Sequence, residues 1–192
     1  MKKHIPNTLT LLRIALLPCL IFTIYEWGPS YRSFLFFSII AVTDYLDGHL
    51  ARKWKVESDF GAFMDPAADK FLVCMVLIVL AIQNQSALLS GCVMIVIGRE
   101  LLMSMLREWC AKNNAGNIVS VDRVGKAKTA FQLLALSLLL LPSSLTYVPG
   151  LVCLTIATGL TLLSLANYVT KLVQALMAKN LSVNANSNTS YQ

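Results

Sequence analysis

Apolar runs near twenty residues long, parted by short polar breaks, leave this chain few folds to choose from. Six runs are legible: about Leu9 to Tyr25, Ser33 to Arg52, Ala62 to Ile82, Ala87 to Arg107, Val124 to Leu141 and Val148 to Val173. A helix rises about 1.5 Å per residue, so about twenty residues cover a hydrocarbon core of roughly 30 Å. The breaks hold turn-forming residues: Gly28-Pro29, Gln83 to Ser86, Asn113 to Asn117 and Pro142 to Ser144. Apolar residues make up 56% of the chain and charged ones 14%, with mean hydropathy +0.64. A soluble domain would carry about a quarter charged residues. The pattern predicts an all-α, polytopic integral membrane protein: six transmembrane helices plus a short N-terminal interfacial helix around Ile5 to Thr10. Residues 1–179 form that one domain. The polar tail, 180–192, is rich in Asn and Ser and is expected to be disordered.

The net charge of +6 would suit nucleic acid only if position were ignored. Lys2, Lys3, Arg52, Lys53, Lys55, Arg107, Lys112, Arg123, Lys126, Lys128, Lys171 and Lys179 fall at one set of run ends, whereas Arg32 falls at the other. Basic residues gather on the cytoplasmic side and meet anionic lipid there. Both termini are therefore expected in the cytoplasm, with the chain in the inner membrane of a bacterium and no nucleic-acid partner. Trp54 and Trp109 suit interfacial anchors on that side and Trp27 on the other. The five cysteines form no C-x2-C pair and read as small apolar residues. Arg13 interrupts the first run and no small-residue cleavage site follows it, so that run reads as retained.

Against this background four aspartates need a reason. Asp44, Asp47, Asp65 and Asp69 lie beside apolar runs, and a charge at a bilayer centre costs at least about 3 kcal/mol. Asp44, Asp47, Gly48 and Ala51 fall at i, i+3, i+4 and i+7 of a helix, and Gly61, Asp65 and Asp69 at i, i+4 and i+8. Each set shares one face. Two helices joined by a short polar turn can aim these faces at each other and form an all-oxygen pocket. Such a pocket suits magnesium or manganese. Gly48, Ala51 and Gly61 leave room for a bulky polar ligand to approach the backbone. Pro66 is expected to start or kink the third helix. Carboxylates that hold two divalent ions imply a diphosphate ligand, and Asp69 is the natural base to take a proton from an attacking alcohol.

The residues read as D-x2-D-G-x2-A-R-x8-G-x3-D-x3-D with every position filled. This resembles the CDP-alcohol phosphotransferase family of integral membrane enzymes. The resemblance runs from about Ile5 to Lys171. It implies that Asp44, Asp47, Asp65 and Asp69 bind metal, with Asp69 also the catalytic base, and that Gly48, Ala51, Arg52 and Gly61 meet a CDP-linked lipid. The opening segment, Ile5 to Arg13, also looks like the family's. There Asn7 and Thr10 share a face and either join the CDP-lipid site or form an amphipathic entry with an N-cap at Asn7. A homodimer is implied by resemblance alone.

A second polar set lies in the fourth and fifth runs. Arg99 sits about two turns deeper than the other cations, where it needs Glu100, Glu108 or a substrate phosphate as partner. Arg99, Arg107, Lys126 and Lys128 are read as the site for an acceptor's phosphate. Gly61 to Pro66, Gly98-Arg99-Glu100, Leu106 to Trp109 and Gly125 to Thr129 resemble the bacterial phosphatidylglycerophosphate synthases of that family. The implied substrates are CDP-diacylglycerol and glycerol-3-phosphate, among membrane lipids. The alternatives are the same transfer to inositol phosphate, serine or a lipid alcohol, and a cation transporter. A transporter would place its charges near the midplane and repeat its halves, and neither feature is seen.

Overall fold

The computed structural model of the chain describes the backbone of residues 5–54, 59–112 and 123–189, and the side chains of 15–43, 67–112, 127–174 and 177. Every element among the described residues is an α-helix: α1 (Ile5–Trp27), α2 (Tyr31–Trp54), α3 (Asp59–Asn84), α4 (Ala87–Lys112), α5 (Arg123–Leu140) and α6 (Ser144–Thr189). The all-α expectation is met. Each predicted run lies within one of these helices to within a residue.

The turns show why the helices stop where they do. Gly28 takes φ +63°, a conformation open to glycine, and its N–H closes on Ile24 O at 2.8 Å. Ser30 Oγ accepts from Ser33 N–H at 3.2 Å and so caps α2. Ser143 O accepts from the amides of Thr146 and Tyr147 and so starts α6. From the far end of α3, Gln83 Nε2 donates to Ile24 O at 2.5 Å and Tyr25 O at 3.1 Å. One side chain thus gives Tyr25 O a partner at the end of α1 and adds a second donor to Ile24 O, which Gly28 already serves.

One core runs through all six helices. Leu20 and Ile24 of α1, Phe37 of α2, Val76 and Leu80 of α3, Val96 of α4, Leu136 of α5 and Leu154 of α6 are all essentially inaccessible. Helix α1 packs on α2 and α3, and α5 packs on α2, α3 and α6. Helix α4 lies between α3 and α6. Gly150 marks the tightest described glycine contact: an added Cβ there would meet Leu139 Cγ at 3.0 Å.

The outside of the bundle is apolar. Phe22, Leu35, Phe71, Met94 and Leu163 all stand largely exposed, a surface that suits lipid and would be costly in water. Among the described residues, three stretches are long and apolar enough to cross a bilayer: Ala67–Asn84, Ala87–Lys112 and Ser144–Gln174. The chain is a membrane protein. All five cysteines are free, two of them buried.

Three local expectations differ from the structure. Ile5 to Thr10 forms no separate interfacial helix, because α1 runs unbroken from Ile5. Pro6 is tolerated there because first-turn amides lack intrahelical acceptors anyway. Pro66 does not start α3, which begins at Asp59. A proline forfeits one i→i−4 bond, and the helix takes it in. Finally, α6 carries helical backbone to Thr189, through most of the stretch read as a tail. No Gly or Pro follows Gly159 to stop the ladder.

Candidate functional site

The backbone puts the aspartate motif on two helices. Helix α2 carries Asp44, Asp47, Gly48, Ala51 and Arg52, and α3 carries Gly61, Asp65 and Asp69. Both helices pack against α1 and α5. Unbroken helical backbone through both stretches preserves the register that puts each aspartate set on one face. The side chains of Asn7, Thr10, Asp44, Asp47, Gly48, Ala51, Arg52, Gly61, Asp65 and Lys126 lie outside those described. Asp69 is described and exposed. As a donor set, four carboxylates fit a hard divalent cation, since magnesium and manganese take oxygen ligands.

Of the second polar set, the side chains of Arg99, Arg107 and Lys128 are described. On α4 the buried residues are Leu89, Cys92, Val93, Val96, Arg99, Met103 and Cys110. Arg99 therefore occupies the next position of the core stripe and is only 8% exposed. On α5 the stripe of Leu139, Leu136 and Ala135 continues through Gln132 to Lys128, itself 6% exposed. The same helical periodicity that builds the core thus buries two cations at one end of it.

They converge on Glu100. Its Oε1 accepts from Arg99 Nη1 at 2.8 Å and from Lys128 Nζ. Its Oε2 lies 3.6 Å from Lys70 Nζ on α3. Arg99 Nη2 donates to Ser164 Oγ of α6 at 3.1 Å. Lys70 Nζ also donates, at 3.4 Å, to Ser104 Oγ, whose own proton goes to Glu100 O at 2.9 Å. Groups from α3, α4 and α5 meet at this one carboxylate, and α6 joins them through the bond of Ser164 to Arg99. Three cations surround one anion among the described residues, a surplus of two positive charges. Arg99 Nε and Gln132 Nε2 are buried without a hydrogen-bond partner among the described residues. Buried donors of this kind call for an acceptor. A surplus of buried positive charge is the chemistry that an anion would offset.

The structure thus brings Arg99 and Lys128 together. It answers which glutamate pairs Arg99: Glu100 does, while Glu108 pairs with Lys112 at 2.7 Å on the exposed face of α4. Arg107 is exposed two turns beyond Arg99 and stands apart from the ion pairs around Glu100. Lys70 and Ser164 were missed from sequence. Lys70 carried a readable signal, since it lies in an apolar run, as Arg99 does. Ser164 carried none, because serine is unremarkable in a helix and only packing of α4 on α6 brings it to Arg99. On the opposite rim Arg32 sits over the Trp27 ring at 5.1 Å, a cation–π contact that fits an interfacial anchor.

A family model described as CDP-alcohol phosphatidyltransferase matches residues 3–166. A protein of Arabidopsis thaliana named CDP-diacylglycerol–glycerol-3-phosphate 3-phosphatidyltransferase 2 is 38% identical over 91% of this chain and 82% of its own length. Proteins named CDP-diacylglycerol–glycerol-3-phosphate 3-phosphatidyltransferase from Sodalis glossinidius and Escherichia coli are 39% and 37% identical. Each similarity covers 88% of this chain and 94% of the relative.

Proposed function

The chain belongs to the CDP-alcohol phosphatidyltransferase family, and on that footing we propose that it transfers the phosphatidyl group of CDP-diacylglycerol to glycerol-3-phosphate. The products are phosphatidylglycerophosphate and CMP, in phospholipid biosynthesis. Relatives of that name support the reading. The observation that carries the acceptor is the buried cluster around Glu100, whose surplus positive charge suits a phosphate and gives serine or a neutral lipid alcohol little to bind.

Asp44, Asp47, Asp65 and Asp69 would hold two divalent cations, magnesium or manganese, whose chemistry is to bind diphosphate oxygens and offset charge on the departing CMP. Gly48, Ala51 and Gly61 leave space beside the carboxylates for the nucleotide lipid, with Arg52, Asn7 and Thr10 as further contacts. Arg99, Arg107, Lys126 and Lys128 bind the acceptor's phosphate. Fixing that phosphate orients the free primary hydroxyl of glycerol-3-phosphate toward Asp69. Asp69 takes the hydroxyl proton, the oxygen bonds to the β-phosphorus, and the bond from that phosphorus to CMP breaks. Orientation of this kind converts an encounter into an intramolecular step.

All six helices span the inner membrane in this reading. The motif end and both termini face the cytoplasm, where a soluble acceptor meets a lipid donor, and the working form is a homodimer. The test is CMP release by purified protein in detergent with CDP-diacylglycerol and magnesium, offering glycerol-3-phosphate, inositol phosphate, serine and phosphatidylglycerol separately. Release with glycerol-3-phosphate alone is expected. Release only with another acceptor refutes the acceptor, and no release with any refutes the enzyme.

A further inference from the structure

Glu100 is a carboxylate inside a site that has to bind an anion. By simple Coulomb reasoning it should weaken that site, and its presence there needs an explanation. Its contacts supply one. Arg99 on α4, Lys128 on α5 and Lys70 on α3 reach it from three helices, and the two that are buried are held directly on Oε1. Without Glu100 these cations would face one another in a low-dielectric interior and repel, and long side chains would move apart. With it they stay together, and Arg99 keeps its buried Nε free of partners among the described residues.

We propose that Glu100 is the positioning residue of the acceptor site and that Lys70 is a third phosphate-binding cation there. Glu100 gathers Lys70, Arg99 and Lys128 into one preformed cluster whose surplus charge selects a phosphate-bearing acceptor. Lys70 is the adjustable member. Its side chain is 34% exposed, and its contacts, 3.6 Å to Glu100 and 3.4 Å to Ser104, are the longest in the cluster. It also directly follows Asp69 in the chain. A phosphate on Lys70 is thereby tied through one backbone segment to the residue that takes the hydroxyl proton. The proposal rests on the acceptor reading above and adds to it two residues and a signed prediction.

The sign separates positioning from mere charge. If Glu100 acted only as a negative charge, Glu100→Gln would tighten the acceptor. If it positions the cations, Glu100→Gln loosens them. Steady-state CMP release gives the KM for glycerol-3-phosphate and, separately, for CDP-diacylglycerol. The expected result for Glu100→Gln is a rise of about tenfold in the first, the size of one charge-assisted hydrogen bond lost. The second should stay within about twofold. Lys70→Met should raise the first by several fold. The double variant should do little more than Glu100→Gln, because residues acting through one contact are not additive. An unchanged or lowered KM for glycerol-3-phosphate in Glu100→Gln overturns the proposal, as does an equal rise in both constants or full additivity with Lys70→Met. If Glu100→Gln does not fold, Lys70→Met alone decides: its partly exposed side chain tolerates change, and an unaltered KM overturns the proposal. Wild-type protein that turns over only another acceptor overturns the acceptor reading itself. Normal wild-type turnover beside an unaffected variant overturns only the positioning role.

Discussion

Replacing Arg99 by Met is the sharpest single perturbation of the proposed acceptor site. Met keeps most of the buried volume but removes the charge and its donors. In the folded protein Arg99 spends one donor on Glu100 at 2.8 Å and one on Ser164 at 3.1 Å, while Nε has no partner among the described residues. Glu100 keeps Lys128 and Lys70 after the substitution, so no carboxylate is stranded and the fold should persist. What is lost is a charge-assisted contact to the acceptor's phosphate, worth about 2 kcal/mol. At about 1.4 kcal/mol per tenfold, that is roughly a thirtyfold rise in the KM for glycerol-3-phosphate. The KM for CDP-diacylglycerol, measured at saturating glycerol-3-phosphate, should move by less than about threefold, since rim contacts change little. The assay is CMP release across a concentration series of each substrate in turn. Equal rises in both constants would mean that Arg99 holds α4 to α6 through Ser164 and serves structure alone. An unchanged acceptor KM would remove Arg99 from the site altogether.

Three further outcomes are expected. Asp69→Asn should retain CDP-diacylglycerol binding and lose turnover by about a hundredfold or more, the usual contribution of a positioned base, and near-normal kcat would end its assignment as base. Gly150→Val should destabilise the α5–α6 contact by about 1–3 kcal/mol, since an added Cβ already meets boxed-in Leu139. A thermal melt in detergent reads this out, and a melting temperature equal to wild type refutes it. Lys112→Ala removes an exposed pair with Glu108 and should leave both the melting temperature and the kinetic constants unchanged, because exposed helical ion pairs are screened by solvent. A loss like that of Arg99→Met would show that surface charge rather than the buried cluster controls the acceptor.

The candidate site residues could be picked out from the sequence because membrane chains advertise their charges. In a chain only 14% charged, carboxylates beside apolar runs stand out, and helical spacing alone sorted Asp44 and Asp47 onto one face and Asp65 and Asp69 onto another. Arg99 was legible for the same reason. Lys70 obeys the same rule and could have been read. Ser164 could not, since a serine 65 positions from Arg99 becomes its partner only through helix packing.

The sequence by itself determined the helices and the membrane character, and it singled out the helix faces proposed to carry chemistry. Those follow from local periodicity and from the cost of charge in lipid. It did not determine the ends of α1, α3 and α6, where Pro6 and Pro66 were absorbed and no breaker stopped the last helix. Only the tertiary structure decided which groups meet. The arrival of Lys70 and Lys128 at Glu100, and of Ser164 at Arg99, depends on how α3, α4, α5 and α6 cross. Long side chains on different helices can choose among several partners of equal charge. The packing of the apolar stripes beneath them makes that choice.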